Sequence, residues 1–324
     1  MLEPVACALC GETRFTLSLR VPDPQRAGVS FSLVECVACH LVYLNPRPDQ
    51  ASLLRDYYGA SYCAHQEDTV RDALPDWLKL NRKAVVEKLQ SRGRVLDVGC
   101  GRGQVLAELQ QSGWEVYGIE PSSHACHMAR ELLKTDTIWE GDALDAPWPP
   151  GSFDVVTFWH VLEHVPDPLK VMKRVREWLK EDGVVVLNCP NYASPTRALF
   201  GAHWDLLKVP THFFHFTPAT LRALLEQSGF QGMKNVKRWA DPFTDMSHLK
   251  STVFKACGFR VTALDSIRNP QSATRNVPLG WKIVRGLVNI MFMIGALAKG
   301  WLGFQEVLLV TASPRAAKGE TIRA

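Results

Sequence analysis

Between residues 94 and 190 the chain alternates apolar, strand-like runs with helix-like ones, and that alternation leaves few architectures open. RVLDVGC, EVYGIE, FDVVTFWH and GVVVLNCP are short, nearly continuous apolar runs. GQVLAELQQSG, SSHACHMARELLK and PLKVMKRVREWLKEDG lie between them and read as helices, the first stopped by Gly113. Strands that lack a polar face must be covered on both sides, which requires a mostly parallel sheet sandwiched by helices. The expected fold class is therefore α/β, doubly wound.

Three regions follow from the rest of the pattern. Residues 1–62 hold two cysteine pairs and end after the turn-rich NPRPDQ. A helix predicted over 75–90 leads into the sheet-forming region, expected to span 75–240 and to be completed by a terminal strand, FQEVLLVTAS, at 304–313. Residues 241–303 form an insert. The length of 324 residues accommodates this division.

VLDVGCGRGQVL joins a buried strand to a helix, which is where an open α/β sheet binds its ligand. Gly99, Gly101 and Gly103 permit a tight turn and a close approach of ligand to bare backbone. A dinucleotide fingerprint needs glycine at 104, where the chain has Gln104. Asp97, two residues before the first glycine, disfavours a pyrophosphate and suits a ligand carrying an ammonium group.

These residues resemble the class I S-adenosylmethionine-dependent methyltransferases, whose sheet is Rossmann-like with an antiparallel last strand. The resemblance implies that Asp97, Gly99, Cys100, Gly101 and Gly103 line the methionine end of the cofactor. It implies that Glu120, closing VYGIE, accepts from both ribose hydroxyls. EGDALDAPWPPGSFDVV resembles the adenine-side motif, with Asp142 accepting from the exocyclic amine and Ala143 flanking the ring.

HVLEHVPDP raises a different chemistry, because His160, Glu163 and His164 spell a zinc-peptidase signature. Pro166 and Pro168 break any helix within about one turn, whereas a peptidase needs several. No third ligand stands downstream in a helix of matching phase, and the peptidase reading falls. In the family the stretch follows the fourth strand, so His160 is expected at the cofactor pocket with Glu163, and His164 is expected to be structural.

Cys7-x2-Cys10 and Cys36-x2-Cys39, 25 residues apart, are the pattern of a closed tetrahedral Zn²⁺ site. Such a zinc would be structural; the alternative is buried or disulfide-linked cysteine. The start, MLEPVACALCGETRF, lacks a charged-then-apolar run, so a reduced, cytoplasmic setting is expected. Cys63, Cys100, Cys126, Cys189 and Cys257 are unpaired and read as packing residues.

An oxygen or nitrogen acceptor calls for a base, usually histidine. PTHFFHFTP, in a lid-like stretch, offers His215 as the candidate, with His212 its rival; the alternative is that both cap the helix starting near Thr217. The acceptor expected is a small molecule, sugar or lipid-linked compound. A ribbon suggests RNA as an alternative substrate, but a net charge of +4 without a basic block argues against nucleic acid. A non-catalytic scaffold is the third reading, opposed by the intact Asp97, Glu120 and Asp142.

GLVNIMFMIGALA, at 286–298, would be about 20 Å long as a helix, short of the roughly 20 residues that span a bilayer. With Trp281 and Trp301 beside it, residues 281–303 suit an interfacial helix on the inner membrane face, a re-entrant hairpin, a homodimer contact or burial in the protein's own core.

Overall fold

The computed structural model describes residues 2–23, 25–57, 81–236, 252–253, 256 and 306–314. Most of the insert lies outside them, including the apolar segment 286–298, as do Cys63 and Cys257.

The N-terminal region folds as strands β1 (Leu2–Glu3), β2 (Phe15–Pro22), β3 (Ser30–Cys36), β4 (Val42–Leu44) and β5 (Arg47–Pro48), followed by helix α1 (Gln50–Asp56). β2, β3 and β4 form an antiparallel meander, and β1 pairs with β5. Asp49 caps α1 by accepting from the Ser52 N–H at 2.7 Å.

After helix α2 (Arg82–Leu89) the alternation begins. It runs β6 (Arg94–Val98), α3 (Gln104–Gln111), β7 (Glu115–Glu120), α4 (Ser123–Leu133), β8 (Ile138–Glu140), β9 (Phe153–Trp159), α5 (Pro168–Trp178) and β10 (Leu179–Pro190). Helix α6 (Pro195–Phe200), strand β11 (Phe214–His215), helix α7 (Pro218–Gln227) and strands β12 (Gln231–Asn235) and β13 (Val307–Ser313) complete the described chain.

The central sheet has seven strands in the order β12-β13-β10-β9-β6-β7-β8. β6 to β10 are parallel, and β13 is antiparallel to both of its neighbours. The chain leaves β6 towards β7 on one side and reaches β9 on the other, so the carboxyl end of β6 is the topological switch point.

Each face is covered as continuous apolar strands demand. Val86, Leu106, Leu109, Cys126 and Ala129 of α2, α3 and α4 pack one face. Val171, Met172, Trp178, Leu221 and Leu225 of α5 and α7 pack the other. Leu33, Tyr43 and Leu44 of the N-terminal meander join that second core rather than making their own. α5 ends earlier than its sequence suggests. Leu179 turns extended to bury beside Phe153, and β10 starts there.

The two parts are also stitched by backbone. β11 pairs with β4, which adds the segment bearing His212 and His215 to the meander as a fourth strand. The Leu44 N–H donates to Phe213 O at 2.8 Å, and the Phe213 N–H donates to Glu163 O at 2.8 Å. Arg47 stacks its guanidinium 5.0 Å from the Phe213 ring centroid and donates to Pro166 O. Among the described residues no helix is long and apolar enough to cross a membrane.

Candidate functional site

The glycine loop follows β6 directly. Gly99, Gly101 and Gly103 all adopt positive φ, at 73°, 54° and 79°. A Cβ on Gly99 would lie 2.5 Å from Val161 Cγ2, so this glycine is required by close approach as well as by conformation. The Gly99 and Cys100 N–H groups both donate to Ile119 O, drawing the loop against the end of β7. Cys100 is buried, and its sulfur occupies the space left by Gly118. That is a packing role, as its lack of a partner cysteine suggested.

Asp97 is 3 % exposed and faces Thr157 across the β6–β9 pairing. The Thr157 hydroxyl donates to Asp97 Oδ1 at 2.6 Å. Burial nevertheless pushes the carboxyl up to about 7, with Thr157 and the charge of Arg82 opposing the shift. A buried carboxylate of this kind calls for a cationic partner.

Glu120 ends β7 and is held by two backbone donors, Gly101 N–H to Oε2 and Ser122 N–H to Oε1, each at 2.9 Å. Burial raises its pKa against those bonds. Each oxygen keeps a lone pair for a further donor. Asp142 follows β8, is exposed, and caps the short turn Ala143–Asp145 by accepting from the Leu144 N–H at 2.8 Å; Ala143 beside it is buried. Asp97 and Glu120 thus lie in the last two residues of β6 and β7, and Asp142 and His160 just past the ends of β8 and β9, all at the carboxyl edge of four neighbouring parallel strands.

His160 leaves β9 at φ 59°, a left-handed conformation that costs a residue with a Cβ about 1–2 kcal/mol. Its ring is 31 % exposed, and its Nδ1 lies 3.2 Å from Oε1 of the fully buried Glu163. Burial lowers the imidazole pKa, with Glu163 opposing it, so the ring is held neutral. The helix needed for a zinc peptidase is absent: Leu162–His164 is a single 3-10 turn.

His212 and His215, the expected bases, are buried at 2 % and 1 % exposure. His212 Nδ1 donates to Leu206 O at 2.9 Å, and both ring nitrogens of His215 are buried without a partner. Burial and the charge of Arg197 push the His215 pKa down to about 3. Neither ring is exposed among the described residues, where the segment bearing both pairs with the N-terminal meander. Nor do they cap α7, where Thr217 and Thr220 form the capping box.

The four N-terminal sulfurs converge. Cys7 Sγ lies 3.4 Å from Cys39 Sγ, Cys10 Sγ lies 3.5 Å from Cys36 Sγ, and all four fall within 4.8 Å of one another. These distances are far beyond a disulfide bond and close to the ~3.7 Å between thiolates arranged tetrahedrally at about 2.3 Å from one Zn²⁺. Both knuckles turn alike. Gly11 N–H donates to Cys7 O and His40 N–H to Cys36 O, with Gly11 and His40 at φ 74° and 61°.

Thr157 and Val161 were not singled out from sequence. Thr157 left a signal, being the one hydroxyl in FDVVTFW and its one polar residue after Asp154; Val161 left none, since its contact with Gly99 is long-range.

A sheet of this order, with β13 reversed and a glycine loop at its switch point, defines a class I methyltransferase that uses S-adenosylmethionine. A methyltransferase-domain family profile matches residues 67–235, and the chain belongs to that family. A ubiquinone biosynthesis O-methyltransferase of Vibrio cholerae is 32% identical over 171 residues, covering 49% of this chain and 70% of the relative. One from Bordetella avium is 35% identical over 163 residues, covering 46% and 67%. Among solved structures, a chain from a Haloferax volcanii complex of a methyltransferase with its activator aligns with a TM-score of 0.51 at 17% identity. It covers 79% of this chain and 97% of its own, a likeness of fold alone. The protein is accordingly an S-adenosylmethionine-dependent methyltransferase of small molecules.

Proposed function

We propose that the chain methylates an oxygen of a small acceptor, with Asp97, Glu120, Asp142 and the glycine loop holding the cofactor. The observation that carries this reading is the buried Asp97, held by Thr157, and the doubly held Glu120, both beside three positive-φ glycines. Asp97 answers the ammonium group, Glu120 the ribose hydroxyls, and Asp142 with Ala143 the adenine. The cofactor supplies a methyl group on a sulfonium centre.

His160 serves as the proton acceptor. Its Nδ1 proton is directed at Glu163, which leaves Nε2 as the basic atom on the one partly exposed ring of the three histidines considered. That nitrogen would accept the proton of the acceptor hydroxyl, while the bound cofactor would supply the methyl group and leave as the neutral thioether. Holding the oxygen and methyl group near contact distance provides most of the acceleration.

Oxygen is favoured as the acceptor atom because the curated relatives are named O-methyltransferases of ubiquinone biosynthesis. A lipid-linked acceptor would also suit the apolar stretch at 286–298, with the protein resting on the cytoplasmic membrane face. The four thiols hold a structural Zn²⁺, for which their number, spacing and closed shell fit. Burial pushes the Cys7 thiol up to about 11, and a bound cation would favour its thiolate.

The test is calorimetric titration with S-adenosylhomocysteine of the wild type and of Glu120→Ala. Binding that weakens at least tenfold in the variant supports the assignment. Equal binding by both would remove Glu120 from the site, and no binding by folded wild type would remove the cofactor reading. A screen of phenolic and lipid-linked hydroxyl acceptors then decides the acceptor atom.

A further inference from the structure

We infer that Arg197, with the hydroxyls of Tyr192 and Ser18, binds a carboxylate carried by the acceptor. The inference rests on the reading that a small molecule is methylated beside His160, and it gives that molecule a chemical class.

Arg197 is fixed from three directions. It lies in α6, and its own N–H donates to the capping hydroxyl of Ser194 at 3.1 Å. That hydroxyl donates in turn to Oε2 of the buried Glu306 at 2.9 Å, which also takes the Trp204 indole N–H at 2.8 Å. The guanidinium lies 3.8 Å from the Tyr192 ring centroid and donates through Nη2 to the Tyr192 hydroxyl. Ser18 of β2 stands 3.1 Å from that hydroxyl, so the N-terminal meander supplies the third hold.

Fixing an arginine costs the rotamer entropy of a long side chain, which an ion pair ordinarily offsets. Among the described residues no carboxylate pairs with Arg197, and its Nε is buried without a hydrogen-bond partner. A buried donor on a permanently charged group carries a desolvation penalty that an oxyanion would remove.

One negative charge is what the cluster asks for. His215, whose ring centroid is 5.4 Å from that of Tyr192, is kept neutral by burial and by the charge of Arg197, so it adds no second cation. A single guanidinium with hydroxyls beside it suits a carboxylate, which carries one charge and accepts two parallel N–H bonds. A phosphate monoester, with nearly two charges at neutral pH, would be only partly neutralised.

The position belongs to the acceptor rather than the cofactor. Asp97, Glu120 and Asp142 mark the ends of β6, β7 and β8, on one side of β9, whereas β10 lies on the other. The His160 N–H donates to Asn188 O of β10 at 2.9 Å, and the chain runs on from there through Tyr192 to Arg197. An acceptor whose hydroxyl reaches His160 can therefore extend its carboxylate along the segment that leaves β10. Ser18 gives the N-terminal region a part in choosing it.

The experiment is calorimetric titration of the full chain with benzoate and with benzamide, each with and without S-adenosylhomocysteine. Wild type is expected to bind benzoate at least about tenfold tighter than benzamide, the scale of a hydrogen bond to a charged group. Arg197→Gln should reduce that preference to within about twofold, and Arg197→Lys, which keeps the charge and loses the fork, should retain part of it. Tyr192→Phe should weaken benzoate more than benzamide. Affinity for S-adenosylhomocysteine should stay within about twofold in all three variants, as expected of separate sites. A wild type without the preference, including one that binds neither probe at millimolar concentration, would overturn the site, as would an Arg197→Gln variant that keeps the preference. Displacement of benzoate by inorganic phosphate at a lower concentration than by acetate would overturn the carboxylate and assign the oxyanion to a phosphate. The titrations without S-adenosylhomocysteine stand by themselves. A chain that binds S-adenosylhomocysteine but shows no preference sinks this inference alone, and one that prefers benzoate through Arg197 but binds no S-adenosylhomocysteine sinks the cofactor reading alone.

Discussion

Thr157 donates its hydroxyl to Asp97 Oδ1 at 2.6 Å from the adjacent strand, and both side chains are buried. This bond is a direct check on how the Asp97 carboxylate is kept ionised. Thr157→Val removes it at nearly constant volume. Hydrogen bonds to charged groups contribute roughly 1.5–3 kcal/mol, so affinity for S-adenosylhomocysteine at pH 7 should fall by about tenfold or more. Unchanged affinity would mean that Asp97 does not meet the ligand as an anion.

The same carboxyl predicts a pH effect with a definite sign. Its pKa is about 7 in the fold against an ordinary value of 3.8, with Thr157 and Arg82 favouring ionisation and Glu120 opposing it. Between those two values the folded state holds a proton that the unfolded state has lost. Asp97 therefore costs the ligand-free protein stability as pH rises through this window, with the full penalty in place above pH 7. An ammonium group beside it lowers the pKa again. Binding near pH 7 should thus release up to about half a proton, seen calorimetrically as a dependence of the observed heat on buffer ionisation enthalpy. Affinity should rise from pH 6 to pH 8; a flat profile counts against the ammonium contact.

Gly99 offers a test of the loop that needs no ligand contact. An alanine there takes a left-handed φ and brings its Cβ within 2.5 Å of Val161 Cγ2. Gly99→Ala is expected to destabilise by about 1–3 kcal/mol and to weaken cofactor binding. The double variant with Val161→Ala should recover the part due to the clash and keep the conformational part. Additive losses would place the loop elsewhere relative to Val161.

Much of this geometry was legible because it depends on neighbours in sequence. The strand–loop–helix of VLDVGCGRG, the carboxylate ending EVYGIE and the C-x-x-C knuckles are local patterns, and each leads to its observed element. What could not be read depends on contacts between distant segments. Nothing in PTHFFHFTP announces that Phe214–His215 will pair with Val42–Tyr43, which draws His212 and His215 into the interior. The spacing of H-x-x-E-H describes a helix face, but the turn that forms lets Glu163 and His164 meet a residue 48 positions beyond His164.

The pairing of β11 with β4 links the four-thiol cluster to the segment that carries His212 and His215. β4 carries none of the four clustered cysteines but lies between β3, which ends at Cys36, and β11. Cys36→Ser should lose one zinc per chain and lower the melting temperature. It should also speed amide exchange at Phe213 and Phe214, whose segment is held by β4. Loss of zinc with unchanged exchange there would make the ribbon an independent unit.

The identity of the base separates His160 from the two buried histidines. His160 is part-exposed and oriented by Glu163, whereas His215 has a sealed ring whose nitrogens meet no partner. A general base typically contributes about 10²–10⁴-fold. His160→Asn should therefore lower kcat by at least 10²-fold, with S-adenosylhomocysteine affinity changed by less than about threefold, because the base acts on the acceptor proton. His215→Phe removes two unsatisfied polar atoms from the interior, so it should leave kcat within about threefold and stability equal or higher. A large loss of kcat in His215→Phe with the fold intact would return the proton to that side of the site. A His160→Asn variant that loses cofactor affinity and keeps its kcat would leave His160 as part of the cofactor wall instead.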